Sequence, residues 1–237
     1  MKTIKLRLPG SNDFFTQEAY KVLRTNLQFC GSDVRVIAFT SCDENEGKST
    51  VCLHVAKSFA ELGKRVLLID ADMRKSVMAG RNTDATDYTG LSEVLTGQSS
   101  INDCLYATDN DKLHILFAGK YPPNPVELLN SKLFSQLLEE SKKSFDYIIV
   151  DTPPLGRVID AAVIASHCDG TVLIFGSEKI RLDRANDVLE QLEKSGSRIL
   201  GAVHNNFRRR KTAHYYYYNR RYKKYYRYSK YSKYSSR

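Results

Sequence analysis

Tryptophan is absent from this 237-residue chain, and no apolar run approaches the ~20 residues that a membrane span needs. The opening stretch, Met1 to Pro9, is too short in apolar length for a signal peptide, which sets the expectation of a cytoplasmic protein. Cysteine is sparse. Residues 30, 42, 52, 104 and 168 form no CxxC and no Cys/His ligand spacing. An odd, scattered set argues against a disulfide framework or structural zinc and for reduced thiols. The last scarcity is local: from Arg208 to Arg237 there is no Asp, no Glu and no aliphatic residue larger than alanine. That stretch holds ten of the fifteen tyrosines and twelve Lys/Arg, so it carries +12 and leaves −3 on the rest of a chain whose net charge is +9. A segment with nothing to build a core from is expected to be disordered. The expected division is a folded body, residues 1–207, and a basic tyrosine-rich tail, residues 208–237.

The body has one organising stretch. Val34 to Phe39 is β-branched and apolar enough for a buried strand. A polar turn follows, Ser41-Cys-Asp-Glu-Asn-Glu-Gly-Lys-Ser-Thr50, and then Leu53, Ala56, Phe59 and Ala60 recur at helical spacing within Val51 to Leu62. Strand, polar turn, Gly-Lys-Ser and helix is the context of a phosphate-binding loop, in which main-chain N–H groups and the helix start face an anion. The plainer alternative is a loop–helix junction that happens to contain these residues. On the phosphate-loop reading, Asn45, Glu46, Gly47, Lys48, Ser49 and Thr50 cradle a nucleotide. Lys48 reaches the β- and γ-phosphates, and Ser49 sits on Mg²⁺. Cys42 stands where the strict motif has its first glycine, and Asp43 and Glu44 add negative charge. Affinity is therefore expected to fall below that of a glycine-rich loop.

Asp13 to Phe29 reads as a helix with Phe15, Ala19, Val22, Leu23 and Leu27 as its apolar stripe. Further strands are expected at Arg65–Asp70, Leu113–Phe117, Tyr147–Asp151, Thr171–Phe175 and Arg198–Val203, with one long helix from Asn124 to about Lys143. Continuous apolar strands alternating with helices predict an α/β fold of the P-loop NTPase kind, a mostly parallel sheet covered on both faces. Ligands then gather at the carboxyl ends of the strands. Asp70 and Asp72 follow one strand and Asp151 ends another, so three carboxylates share that rim with Lys48. They suit Mg²⁺, a hard cation that takes few carboxylates and keeps several waters.

Together, Glu46-Gly-Lys-Ser-Thr50, Ile69-Asp-Ala-Asp-Met-Arg-Lys75 and Val150-Asp-Thr-Pro-Pro154 resemble the Walker A, A′ and B motifs of the bacterial tyrosine kinases. The tail resembles their autophosphorylated cluster. The likeness spans nearly all of residues 13–237 and is similar in particular to the soluble kinases of Gram-positive capsular and exopolysaccharide systems. It implies a kinase that uses ATP and Mg²⁺ to phosphorylate its own tail between subunits, regulating polysaccharide synthesis or export. It also implies Lys48, Asp70 and Asp72 as catalytic, with Asp70 the candidate base, and Ser49, Asp70, Asp72 and Asp151 around the metal. Asn205 falls near the adenine. The implied phosphoacceptors are Tyr215, Tyr216, Tyr217, Tyr218, Tyr222, Tyr225, Tyr226, Tyr228, Tyr231 and Tyr234. The family's Glu-x-x-Arg-x-x-Arg interface motif of a ring-shaped oligomer corresponds to Glu18, Lys21 and Arg24, where Lys21 lacks arginine's planar fork. Implied partners are further copies of the chain, a transmembrane adaptor that activates it at the membrane, protein substrates on tyrosine, and a protein-tyrosine phosphatase.

Two rival readings remain. A partitioning or septum-positioning ATPase of the same superfamily would carry a signature lysine where Asp43 stands. A binder of nucleic acid or anionic membrane fits the tail's basic and aromatic composition but leaves the three motifs without a purpose. Both rank below the kinase.

Overall fold

The computed structural model describes residues 2–8, 13–84, 88–176 and 182–206; the tail and its tyrosines lie outside the described residues. Among the described residues the strands are β1 (Lys2–Thr3), β2 (Val36–Ser41), β3 (Val66–Asp70), β4 (Leu105–Ala107), β5 (Leu113–Leu116), β6 (Tyr147–Asp151), β7 (Gly170–Phe175) and β8 (Ile199–His204). They form one sheet in the order β1-β4-β5-β3-β6-β2-β7-β8. All neighbours run parallel except β4 and β5. The helices are α1 (Phe14–Phe29), α2 (Lys48–Glu61), α3 (Met78–Asn82), α4 (Leu91–Leu95), α5 (Ile101–Cys104), α6 (Pro125–Leu129), α7 (Lys132–Ser144), α8 (Asp160–Ser166) and α9 (Leu182–Lys194).

Alternation along β2 builds the two faces. Ile37 and Phe39 pack with Val51, Val55 and Phe59 of α2, while Val36 and Ala38 pack with Phe134 and Leu138 of α7. Because β2, β3 and β6 are adjacent and parallel, Ser41, Asp70 and Asp151 emerge at one edge of the sheet. That edge carries the candidate site.

Several expectations are corrected. The helix foreseen over Asn124 to Lys143 is two, α6 and α7, broken at Asn130 and Ser131. Ser131 caps α7 by accepting from the Phe134 N–H, and its hydroxyl donates to the Leu128 carbonyl, so one serine ends one helix and starts the next. The apolar stripe of α1 is also shifted. Val22 is 58% exposed, and the face that packs inward carries Tyr20, Leu23 and Leu27. α2 begins three residues earlier than Val51 and is buried nearly all round, because α1 lies over its outer side. Tyr20 stacks on His54 at a ring separation of 4.3 Å there. The short strands β1 and β4 escape periodicity because two or three residues carry no readable period.

Candidate active site

Residues 42–47 connect β2 to α2 through two left-handed residues, Asn45 at φ 61° and Gly47 at φ 87°. Asparagine and glycine are the residues that adopt this conformation at little cost, so the turn is encoded locally. Gly47 sits at the N-cap of α2 without any side-chain cap, so no side chain at that position takes the first N–H groups of the helix. Lys48, the first residue of α2, is buried at the same point.

Asp70 and Asp151 end β3 and β6 side by side, and both are buried. Ser76 donates its hydroxyl to Asp70 Oδ2 at 2.5 Å, and the Asp72 N–H donates to Oδ1 at 3.2 Å. Burial, followed by the charge of Asp151, pushes the Asp70 carboxyl well above the usual carboxylate range. Burial also raises Asp151, to about 7, against the pull of Lys48 and the Ser49 hydroxyl, and it raises Asp72. Two buried carboxylates, each with a serine hydroxyl on it, form a hard-oxygen donor set of the kind Mg²⁺ takes. Among the described residues no three carboxylate, thiol or imidazole groups converge to hold a metal by themselves. Mg²⁺ is commonly held by one or two carboxylates together with nucleotide phosphates and water.

The negative charge at Asp43 is answered by two arginines that no motif singles out, and that at Glu44 by Lys75, the last residue of the A′ stretch. Arg157 Nε lies 2.9 Å from Asp43 Oδ1, Arg184 Nη1 2.8 Å from Asp43 Oδ2, and Lys75 Nζ 2.8 Å from Glu44 Oε2. The two arginines come from the segment after β6 and from α9, so no sequence spacing reveals them. Arg74 grips Asp160 with Nε at 2.8 Å and Nη2 at 3.1 Å, tying the segment that carries Asp72 to the start of α8. Cys42, in place of the first glycine, is pushed up to about 11 by burial and the nearby Glu46 and Asp43 charges, so it stays a thiol.

Other expected residues have other surroundings. The Asn205 amide donates to the Glu46 carbonyl at 2.9 Å and lies where a Cβ on Gly47 would fall, so its contact is with the loop. Thr50 is half-buried on the first turn of α2. Glu18 and Lys21 pair with each other at 2.7 Å. Arg24 Nη1 donates to the Ser58 carbonyl at 2.8 Å and lies 3.3 Å from its hydroxyl, within the same chain.

A family described as an AAA domain matches residues 34–198. The chain is 43% identical over 190 residues to the tyrosine-protein kinase CpsD of Streptococcus agalactiae, covering 80% of this chain and 83% of that one. The kinase domain of the Escherichia coli tyrosine kinase ETK superposes with a TM-score of 0.78 at 31% identity, covering 83% of this chain and 78% of that chain. The chimerical protein CapA2B2 superposes with a TM-score of 0.76 at 31% identity, covering 81% and 85%. The domain match takes in most of the chain, and the CpsD likeness extends beyond it. The chain therefore belongs to the bacterial tyrosine-protein kinases, built on a P-loop AAA domain.

Proposed function

We propose that this tyrosine kinase transfers the γ-phosphoryl group of ATP to tyrosines of its own tail, residues 208–237, mainly between subunits. By doing so it regulates capsular or extracellular polysaccharide synthesis or export. The observation that carries the catalytic half is the buried Lys48 at the start of α2, beside the adjacent carboxylates Asp70 and Asp151.

Lys48 and the uncapped start of α2 bind the phosphates. Ser49, Asp70, Asp72 and Asp151 would hold Mg²⁺, which when bound neutralises charge on the transferring group. The phenol oxygen forms its bond to the γ-phosphorus as the bond to the bridging oxygen of ADP breaks. A phenol with a pKa near ~10 is mostly protonated at neutral pH, so its proton must leave. Asp70, raised by burial and a neighbouring charge, is a better proton acceptor than an ordinary aspartate. In a loose transition state that transfer comes late, and positioning matters more than nucleophile activation.

A thirty-residue chain of the Gly/Ser-linker kind spans roughly 5–6 Å × √30, about 30 Å, and like charges extend such a chain further. That reach presents tyrosines to a neighbouring site at an effective concentration approaching ~1 mM. Among the described residues no helix is long and apolar enough to cross a membrane, and a transmembrane adaptor would bring the kinase to the membrane and stimulate it.

The test is phosphotyrosine formation by the purified chain with Mg-ATP, with and without cytoplasmic segments of candidate adaptors. Lys48→Met is expected to lose phosphorylation and remain folded. Wild-type yield from that variant contradicts the site assignment. Mg-ATP hydrolysis without phosphotyrosine favours the partitioning-type ATPase instead.

A further inference from the structure

The loop lacks the first glycine of the strict motif and carries Asp43 and Glu44, yet it is held in a defined shape. Glu46 is bracketed by the left-handed residues Asn45 and Gly47. Its side chain turns back across the loop. Glu46 Oε2 accepts the Asp43 N–H at 2.9 Å, and Oε1 accepts the Gly176 N–H, just past β7, at 3.1 Å. Its main-chain carbonyl accepts the Asn205 amide, just past β8, at 2.9 Å. Three segments therefore meet on one residue.

A carboxylate within a triphosphate loop is electrostatically unfavourable for binding an anion. Here both of its oxygens are taken by main-chain donors, which is the chemistry of a strut. We propose that Glu46 is a positioning residue for phosphoryl transfer. It fixes the loop so that the remaining N–H groups and Lys48 meet the phosphates, and it ties that shape to the ends of β7 and β8. The inference rests on the nucleotide-binding reading above.

The experiment measures Mg-ADP affinity by titration calorimetry on the full chain, together with kcat and KM for ATP, for wild type, Glu46→Ala and Glu46→Gln. Loss of hydrogen bonds to a carboxylate should weaken Mg-ADP binding about tenfold in the alanine variant. The glutamine variant keeps one oxygen acceptor and should fall between. KM for ATP should rise in the same order, with kcat changing less. If Glu46 acted only through its charge, both variants would bind Mg-ADP more tightly than wild type. Tighter or unchanged affinity overturns the proposal. Should Glu46→Ala fail to fold, Glu46→Gln decides the question by the same criterion. A folded wild type that binds no Mg-ADP sinks the nucleotide reading itself, whereas tight wild-type binding with unaffected variants sinks only the role of Glu46.

Discussion

Asp70 and Asp151 stand directly opposite each other on the parallel strands β3 and β6, each only 1% exposed. Like charges held together away from water cost stability, and active sites retain such costs for function. Asp70→Asn should therefore lower phosphorylation by about a hundredfold or more while stabilising the fold by about 1 kcal/mol. Thermal unfolding and phosphotyrosine yield, measured on the same preparation, check both halves. A variant that is inactive and also less stable would mean that Asp70 holds the fold.

The pair also marks what the sequence made legible. Long apolar strands ending in Asp70 and Asp151 placed both carboxylates on one edge, because a buried parallel strand leaves few choices of period or direction. The residues that balance Asp43 were not legible. Arg157 and Arg184 are brought to the loop by the fold, and an exposed arginine in a loop or on a helix looks the same with or without such a role. The intrachain contact of the interface motif was hidden for a related reason. Spacing placed Glu18, Lys21 and Arg24 on one helix but could not reveal that α2 lies close enough for Ser58 to take the Arg24 guanidinium. The foreseen long helix failed because Ser131, a cap in context, reads as an ordinary polar residue in a helical pattern.

Arg24→Ala should accordingly act inside the subunit. It removes a charged donor from a partly buried carbonyl and should cost about 1.5–3 kcal/mol. Glu18→Ala with Lys21→Ala removes a half-exposed helical pair whose own contribution to stability is less than about 0.5 kcal/mol. The double variant is therefore the cleaner probe of assembly. Denaturant titration gives the stabilities, and light scattering at matched concentration gives the mass. A lower mass without loss of stability is expected if Glu18 and Lys21 contact a second copy.

Glu93 predicts an acid-sensitive element. Burial would push its carboxyl up, but N–H groups of Gly90 and Lys120 and the Ser92 hydroxyl hold it below the usual glutamate range. A depressed carboxylate contributes stability above its unfolded pKa, about 4.3, and loses it as pH falls through the lower folded value. Glu93→Gln should be less stable than wild type at pH 7 by about 1–3 kcal/mol, with the gap closing below about pH 4. Unfolding midpoints across pH check the sign. A gap that widens in acid would contradict it.

The tail should act as a charge switch. Its +12 favours acidic surfaces, and each phosphotyrosine adds about −1.5 to −2, so roughly six to eight modifications neutralise it. Assembly is expected to weaken cumulatively on incubation with Mg-ATP. Single Tyr→Phe changes between Tyr215 and Tyr234 should be nearly silent, while graded replacement preserves the assembled state. Light scattering at two salt concentrations distinguishes this from control by one tyrosine, in which a single replacement would suffice.

Transfer between subunits is tested most directly by mixing two chains. One is a catalytically intact kinase with all ten tail tyrosines replaced by phenylalanine; the other is a size-tagged Lys48→Met chain with its tail intact. With Mg-ATP, phosphotyrosine should appear on the tail of the inactive chain, at an initial rate that rises with the concentration of the intact one. An inactive chain that stays unmodified beside a kinase able to phosphorylate an added tyrosine peptide would contradict transfer between subunits.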